Sequence, residues 1–392
     1  MIAAKISENL KQSSLIRAMF EEGERMRRKV GAEYVYDFSL GNPDPEPPRE
    51  FKDALKTLVL QDPPGLHAYM NNAGYPDVRE KIAAQINAET GRKLTFQHIV
   101  MTCGAGGGLN VVLKTLLNPG EEVIVFTPYF GEYRFYIGNH GGRMVEVPSH
   151  LESFEPDLAR LEKSITPQTK AVLINSPNNP TGVVYSEKIL KEMAGILAKK
   201  EREFHSKICL LADEPYRKLV YDDVRLPQIF NIFPHAIVVN SFSKSQSLPG
   251  ARIGYIAVSD QLEDAPALVD GLVFANRTLG FVNAPGLFQK ATAMALDSVV
   301  DKGIYEERRN ILYQHLIKLG FTCVKPQGAF YLFPKALIED DMKFKDQALK
   351  HNLLIVPGRS FGCPGYFRLA YCVSLQTIER SLPAFEALAR EF

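Results

Sequence analysis

Residues 241–252 read Ser-Phe-Ser-Lys-Ser-Gln-Ser-Leu-Pro-Gly-Ala-Arg and follow the apolar run from Ala236 to Val239. Such a run indicates a buried strand, so Lys244 is predicted to lie just past the end of that strand. A lysine there can be desolvated, which lowers its pKa and frees the amine for Schiff-base chemistry. Arg252 adds a fixed cation that disfavours a second positive charge. A lone loop lysine is usually exposed, so the interpretation depends on three upstream segments.

The first upstream segment ends in a carboxylate. Asp213-Glu214-Pro215-Tyr216 comes directly after the apolar run from Ile208 to Ala212. A carboxylate at the end of a buried strand is costly unless it meets a cation, and a protonated pyridinium nitrogen would be such a cation. An aspartate that caps a loop or helix fits these residues equally well.

The second segment, Asn175-Ser-Pro-Asn-Asn-Pro-Thr-Gly182, ends the apolar run from Ala171 to Ile174. Its prolines and glycine rigidify the loop, and the side-chain amide of Asn179 can donate a hydrogen bond to a phenolate oxygen. Asn-Pro and Thr-Gly also mark ordinary turns.

The third segment, Thr102-Cys-Gly-Ala-Gly-Gly-Gly-Leu109, lies between a short apolar run and a helical pattern of apolar residues. Glycines between a strand and a helix let backbone N–H groups and the helix dipole hold a phosphate. The segment matches neither the dinucleotide-binding nor the phosphate-loop motif, so it predicts only an anion site.

Together these segments resemble the fold-type I pyridoxal 5'-phosphate enzymes, specifically the class I/II aminotransferases. Their order and spacing match that family, and the resemblance covers nearly the whole chain. Further matching segments are Leu40–Asp44, Tyr69 with Gly74, Pro326–Tyr331, Val356–Gly362 and Arg368–Tyr371.

The resemblance implies that pyridoxal 5'-phosphate is the cofactor. Lys244 would hold it as an internal aldimine and would then act as general base and acid on the substrate Cα proton. Asp213 would keep the pyridine nitrogen protonated, which makes the ring an electron sink. Asn179 and Tyr216 would hydrogen-bond the phenolate oxygen of the ring.

The resemblance also implies a phosphate site. Its expected contacts are the backbone N–H groups of Ala105 and Gly106, the side chains of Ser241, Ser243 and Arg252, and Tyr69 from a neighbouring subunit. The active form is therefore expected to be a homodimer.

The remaining residues implied by the resemblance concern the ring face and the substrate. Phe130 is expected to stack on the cofactor ring, with Tyr129 as the alternative if the loop register differs by one. Arg368 matches the arginine that holds the substrate α-carboxylate, because its planar fork suits a carboxylate bidentately. Asn179 and a backbone N–H of Gly41 are also expected at the substrate.

The activity implied is transfer of an amino group from an L-amino acid to a 2-oxo acid. A pyridoxal-phosphate-dependent β-elimination (C–S) lyase shares every cofactor residue, and only the breadth of the family favours the transaminase. A non-catalytic regulator would carry an added DNA-binding domain, for which the match leaves no room. Glycines at 106–108 replace a lysine that one subgroup of aspartate aminotransferases uses for the distal carboxylate, which weakens an aspartate assignment.

Composition agrees with this interpretation. The chain has 392 residues, 46 basic and 45 acidic, with a net charge of +1. No strong basic field is available for nucleic acid, and no apolar stretch approaches bilayer length. The N-terminus lacks the apolar core of a signal peptide, so a soluble, cytoplasmic protein is expected. The 5 cysteines are scattered, and neither a disulfide framework nor a metal site is indicated.

Apolar runs alternate with helical patterns, which predicts an α/β fold with a mostly parallel sheet covered by helices on both faces. The ligand site is expected at the carboxyl ends of the strands. One helix is predicted to begin after Ser186 as N-cap. The resemblance adds a smaller α+β domain built from both termini, so the large domain is placed at 50–285 and the small domain at 1–49 plus 286–392.

Overall fold

Strands and helices alternate through the middle of the chain. The computed structural model describes the backbone of residues 1–392 and every side chain except those of residues 11–18 and 20. The strands are β1 (Tyr36–Asp37), β2 (Ile99–Thr102), β3 (Glu122–Thr127), β4 (Arg143–Pro148), β5 (Thr169–Asn175), β6 (Cys209–Asp213), β7 (Ala236–Ser241), β8 (Gly254–Val258), β9 (Tyr331–Leu332), β10 (Leu353–Leu354), β11 (Val356–Pro357) and β12 (Phe367–Ala370). The helices are α1 (Ala4–Val30), α2 (Arg49–Gln61), α3 (Pro76–Thr90), α4 (Gly104–Leu116), α5 (Tyr133–Asn139), α6 (Leu158–Ser164), α7 (Glu187–Phe204), α8 (Ile229–Ile232), α9 (Phe242–Ser245), α10 (Ala265–Thr278), α11 (Gly286–Met294), α12 (Lys302–Lys318), α13 (Asp341–Lys350) and α14 (Leu375–Ala389).

The central sheet has the strand order β2-β8-β7-β6-β5-β3-β4. The pairs from β7 to β4 are parallel, whereas β8 runs antiparallel to both β7 and β2. The prediction of an α/β fold with a mostly parallel sheet is therefore confirmed. The carboxyl ends of β2, β5, β6 and β7 meet at one edge of the sheet, and β8 begins there.

Both faces of the sheet are covered. Val172 and Ile174 of β5 belong to one apolar cluster, and Ala171 and Leu173 belong to another on the opposite face. Side chains alternate across a strand, so a run that is apolar at every position requires helices on both sides. This is why the uninterrupted apolar runs mark the central strands.

Helix α7 begins where its N-cap was predicted. The side-chain oxygen of Ser186 accepts a hydrogen bond from the backbone N–H of Ile189 at 3.4 Å. Leu190, Met193 and Leu197 are buried on the face that packs against the core. The helix ends at His205, which adopts a left-handed conformation with φ 50°.

The glycines were expected between a strand and a helix, but α4 already begins at Gly104. The glycines at 106–108 therefore form the first turns of the helix. A Cβ at Gly108 would lie 2.8 Å from Cγ1 of Val239 in β7, so the glycine lets the helix approach the sheet closely. The backbone N–H groups of this first turn have no partner within the helix, which preserves the predicted anion site.

Two smaller sheets involve residues near both ends of the chain. Strand β1 pairs in parallel with β10. Strands β9, β11 and β12 form a separate antiparallel sheet with the order β11-β12-β9. The strands of the central sheet fall between residues 99 and 258, while the domain boundaries at 50 and 285 stay a prediction. None of the helices, as far as the structure describes them, is long and apolar enough to cross a membrane.

Candidate active site

A cavity of about 340 Å³ lies at the carboxyl edge of the central sheet. Strands β5, β6 and β7 end here at Asn175, Asp213 and Ser241, and α4 begins here. Twelve of the residues predicted for the site line the cavity: Gly41, Ala105, Gly106, Phe130, Asn179, Asp213, Tyr216, Ser241, Ser243, Lys244, Arg252 and Arg368. The topology thus brings together residues that are more than 300 positions apart in sequence.

Lys244 lies in α9, directly after β7, and its Nζ donates a hydrogen bond to the carbonyl oxygen of Gly41 at 2.6 Å. Burial lowers the pKa of Lys244 to about 8, and the positive charges of Arg368 and Arg252 act in the same direction. At pH 7 the amine is therefore neutral in about one molecule in ten, far more often than an ordinary lysine. This is the property that nucleophilic lysine chemistry requires.

Asp213 ends β6 with its side chain buried in the cavity wall. Its Oδ2 accepts a hydrogen bond from the hydroxyl of Tyr133 at 2.6 Å. Its Oδ1 is buried and has no hydrogen-bond partner among the described residues. Burial raises the pKa of Asp213 to about 7, although the Tyr133 hydrogen bond lowers it. A cation placed beside Oδ1 would restore the ionised carboxylate.

Asn175 fixes the relative positions of two predicted site residues. Its Nδ2 donates to the backbone carbonyl of Asp213 at 2.8 Å, and its Oδ1 accepts from the backbone N–H of Asn179 at 2.7 Å. Asn175 and Asp213 are paired in register on neighbouring strands. The buried amide therefore ties the Asn loop to the strand that carries the carboxylate.

Arg368 lies on β12 and points into the cavity with only 5% of its surface exposed. Its Nη1 donates to Oδ1 of Asn179 at 3.1 Å, and its Nη2 donates to the carbonyl oxygen of Ser39 at 2.6 Å. Its Nε is buried and has no partner in the part of the chain that the structure describes. Both hydrogen bonds go to neutral oxygens, so the guanidinium charge is available to an anionic ligand.

The hydrogen bond from Arg368 also orients Asn179. Because Oδ1 of Asn179 accepts from the guanidinium, its Nδ2 remains a donor toward the cavity. Tyr216 points into the same space, and its hydroxyl pairs with that of Tyr331 at 2.8 Å. Burial raises the pKa of both phenols, that of Tyr331 to about 12, so both hydroxyls remain protonated at neutral pH.

The predicted anion-binding groups line the same cavity. Ala105 and Gly106 occupy the first turn of α4, where backbone N–H groups lack helical partners. A Cβ at Gly104, which has φ +71°, would lie 2.9 Å from Nη2 of Arg252, so glycine leaves room for the guanidinium beside the helix end. Ser241 and Ser243 line the same cavity from β7 and α9.

The two candidate stacking aromatics lie in different places. Phe130 lines the cavity and packs edge-on against Tyr133, with ring centroids 5.5 Å apart. Tyr129, the alternative, does not line the cavity, and its hydroxyl donates to Glu146 at 2.9 Å and accepts from Arg134 at 2.6 Å. The loop after β3 therefore turns Phe130, and not Tyr129, toward the site.

Tyr69 lies in the segment between α2 and α3 and is 94% exposed. It does not line the cavity of its own chain. Its assignment to a neighbouring subunit stays a prediction.

Several cavity residues were not predicted. Tyr133 and Asn175 support Asp213, Tyr331 pairs with Tyr216, and Glu132 and Tyr136 line the cavity from the start of α5. Asn175 and Tyr331 both stand in segments that matched the family, at the ends of Ala171–Ile174 and of Pro326–Tyr331. Tyr133 and Tyr136 follow Pro128-Tyr129-Phe130 closely, but aromatic residues in such a segment are usually core.

Comparison with known proteins agrees with this geometry. The family model described as aminotransferase class I and II matches residues 33–385. An aspartate aminotransferase of Thermotoga maritima is 32% identical over 386 residues, which cover 97% of this chain and 96% of the relative. The aromatic-amino-acid aminotransferase 2 of Thermococcus litoralis is 30% identical, covering 92% and 93%. The crystal structure of an amino transferase from Eubacterium rectale superposes with a TM-score of 0.96 at 40% identity, covering 100% and 99%.

Proposed function

The chain belongs to the aminotransferases of class I and II and is a transaminase, and from that premise we propose that it uses pyridoxal 5'-phosphate held on Lys244. Its substrates are an L-amino acid and a 2-oxo acid. The names of its relatives favour transamination over the alternative β-elimination, since they include aspartate and aromatic aminotransferases. The observation that carries the proposal is a half-buried lysine, a buried aspartate and a buried arginine around one cavity.

The residues present fit this cofactor. Oδ1 of Asp213 is a buried acceptor without a partner, which suits a protonated ring nitrogen. The first turn of α4 and Arg252 offer donors for a phosphate. Phe130 supplies an aromatic face on the wall of the same cavity. The donors for an anion and the buried acceptor for a cation match the phosphate and the protonated ring nitrogen of the cofactor.

When bound, the cofactor supplies an electron sink for the carbanion formed at the substrate Cα. Lys244 would hold the group covalently and would serve as the base for the Cα proton, which its lowered pKa permits near neutral pH. Asp213 would stabilise the positive charge on the ring nitrogen, and Tyr133 keeps that carboxylate oriented. The amide Nδ2 of Asn179 would donate to the phenolate oxygen, because Arg368 occupies Oδ1.

Arg368 binds the α-carboxylate of the substrate. Its guanidinium is already positioned by Ser39 and Asn179, so little side-chain entropy is lost when a carboxylate binds. Rings of Tyr331 and Phe361 lie within 5 Å of the guanidinium carbon and restrict its orientation. Gly41 lies at the same end and is the predicted source of a backbone N–H to the carboxylate.

The functional unit in this proposal is a homodimer in which Tyr69 reaches the phosphate of the neighbouring subunit. Two observations support this role. Tyr69 is almost fully exposed in the single chain, and it lies outside the cavity formed by its own chain.

Borohydride reduction of the loaded enzyme followed by peptide mass spectrometry tests the attachment site. We expect the label on Lys244, and we expect Lys244→Ala to lose both label and turnover. Lys56→Ala, at a lysine whose side chain is 73% exposed, is the matched control and should keep both. Turnover by Lys244→Ala, or a label on another lysine, would refute the proposal.

The reaction type is tested by adding single amino acids to the loaded enzyme without any 2-oxo acid. Stoichiometric formation of pyridoxamine 5'-phosphate is the expected result. Continuous release of ammonia and pyruvate from cysteine-like substrates, with the cofactor unchanged, would instead establish the lyase.

A further inference from the structure

Glu132 places a carboxylate in the cavity that neither the fold nor the proposed chemistry uses. It follows Phe130 by two residues and lines the cavity together with Tyr136. Its side chain is half-buried, and burial raises the pKa of its carboxyl. It makes no hydrogen bond or ion pair with any side chain that the structure describes.

A structural role at the start of α5 does not explain this residue. Glu132 occupies the N-cap position of that helix, where an acidic side chain often accepts hydrogen bonds from the first turn. No such side-chain hydrogen bond is present. The carboxylate therefore has no partner at the helix end, and the residue lines the cavity.

The charges around the cavity leave Glu132 without a compensating partner. If the proposed function holds, the cations Arg252 and Arg368 are neutralised by the phosphate and the α-carboxylate, and Asp213 by the ring nitrogen. Lys244 is occupied with the cofactor and the Cα proton. Among the ionisable side chains that line the cavity, Glu132 then remains as an uncompensated negative charge.

We propose that Glu132 is a specificity determinant that disfavours substrates with a second carboxylate and favours those whose side chain ends in a hydrogen-bond donor. Two carboxylates in a partly desolvated cavity repel each other, whereas an amide or ammonium group would donate to Glu132. This inference rests on the proposed function and concerns the same site.

The test uses isosteric pairs of amino donors with the loaded enzyme. Single-turnover conversion of the cofactor is measured with L-aspartate against L-asparagine and with L-glutamate against L-glutamine. We expect the amide of each pair to react at least about tenfold more efficiently with the native enzyme. We expect Glu132→Gln and Glu132→Ala to reduce each ratio at least about fivefold. The matched control is Glu192→Gln on the exposed face of α7, which should leave both ratios unchanged.

Two results overturn the inference while the proposed function stands. One is faster reaction of the dicarboxylic member of each pair with the native enzyme. The other is a ratio that neither Glu132 variant changes, which would also follow if a neighbouring subunit paired the carboxylate. Failure of every amino acid, including L-alanine, to convert the cofactor would instead overturn the proposed function and this inference with it.

Discussion

The hydroxyl of Tyr133 donates a hydrogen bond of 2.6 Å to Oδ2 of Asp213, and both side chains are buried. Tyr133 begins α5, whereas Asp213 ends β6, so the contact joins two elements that are 80 residues apart. The same tyrosine ring supports Phe130 edge-on. One residue therefore positions both the proposed ring-stacking aromatic and the carboxylate proposed to face the ring nitrogen.

Removal of the Tyr133 hydroxyl should make the Asp213 carboxyl harder to ionise. The hydrogen bond lowers the pKa of the carboxyl against the larger effect of burial, so Tyr133→Phe should raise that pKa. The ionised form is lost as pH falls through the pKa, and the acid limb of kcat should therefore move to higher pH. A hydrogen bond to a charged group contributes about 1.5–3 kcal/mol, so kcat at pH 7 should fall roughly 10- to 100-fold.

Tyr129→Phe is the control for this experiment, because it also removes a buried hydroxyl but lies outside the cavity. Its acid limb should match that of the native enzyme. An unshifted acid limb in Tyr133→Phe would show that the hydrogen bond does not control Asp213.

The rate of cofactor attachment should report the lowered pKa of Lys244. Only the neutral amine can attack the cofactor aldehyde, so the rate should rise with pH and reach half its maximum near the pKa of about 8. An ordinary lysine would continue to gain reactivity up to about pH 10.4. Stopped-flow mixing of cofactor-free enzyme with pyridoxal 5'-phosphate across pH 6–10 measures the midpoint. A midpoint above about pH 10 would mean that the amine is not desolvated.

The residues at strand ends were predictable from sequence because each follows an apolar run that a doubly covered sheet requires. Lys244, Asp213 and Asn179 fall at or just past such ends, and parallel strands bring their carboxyl ends to one edge. Arg368 was identified only through its resemblance to the family, since a strand arginine has no local signature.

The remaining site residues depend on tertiary approach. Tyr331 reaches Tyr216 across 115 residues, and neither side chain differs in local sequence from an ordinary core aromatic. The choice between Tyr129 and Phe130 depended on the turn after β3, which adjacent aromatics do not specify. The start of α4 at Gly104 was missed because glycines favour loops, whereas here they allow close packing of the helix on β7.

Truncation of Arg368 should mainly weaken substrate binding. Arg368→Ala leaves the α-carboxylate without its charged partner, and we expect a loss of about 2–4 kcal/mol in apparent affinity. Arg368→Lys keeps the charge but not the planar fork, so its KM should be intermediate. KM values for one amino donor in the three enzymes give the comparison. If Arg368→Ala kept the native KM, the arginine would not contact the substrate.

Gly41 should not tolerate a side chain, because a Cβ there would lie 2.1 Å from the hydroxyl oxygen of Tyr331. Gly41→Ala should displace that hydroxyl from Tyr216 and disturb the carbonyl that accepts from Lys244, so activity should fall at least about tenfold. Gly195→Ala is the matched control, since nothing lies within 4 Å of a Cβ there and α7 should gain roughly 0.5–1 kcal/mol. Equal activity and thermal stability in the two variants would contradict the close contact.

A hybrid dimer should reveal whether Tyr69 acts on the neighbouring subunit. We expect Lys244→Ala homodimers to be inactive and Tyr69→Ala homodimers to be impaired, because the latter lack a phosphate contact. A hybrid of the two contains one site with native Lys244 and a native Tyr69 from the partner subunit. Differently tagged subunits can be co-expressed and purified in tandem, and the hybrid should recover about half of the native activity per dimer. If Tyr69 served its own chain, the site with native Lys244 would carry the Tyr69 defect, and the hybrid would be no better than half of a Tyr69→Ala dimer.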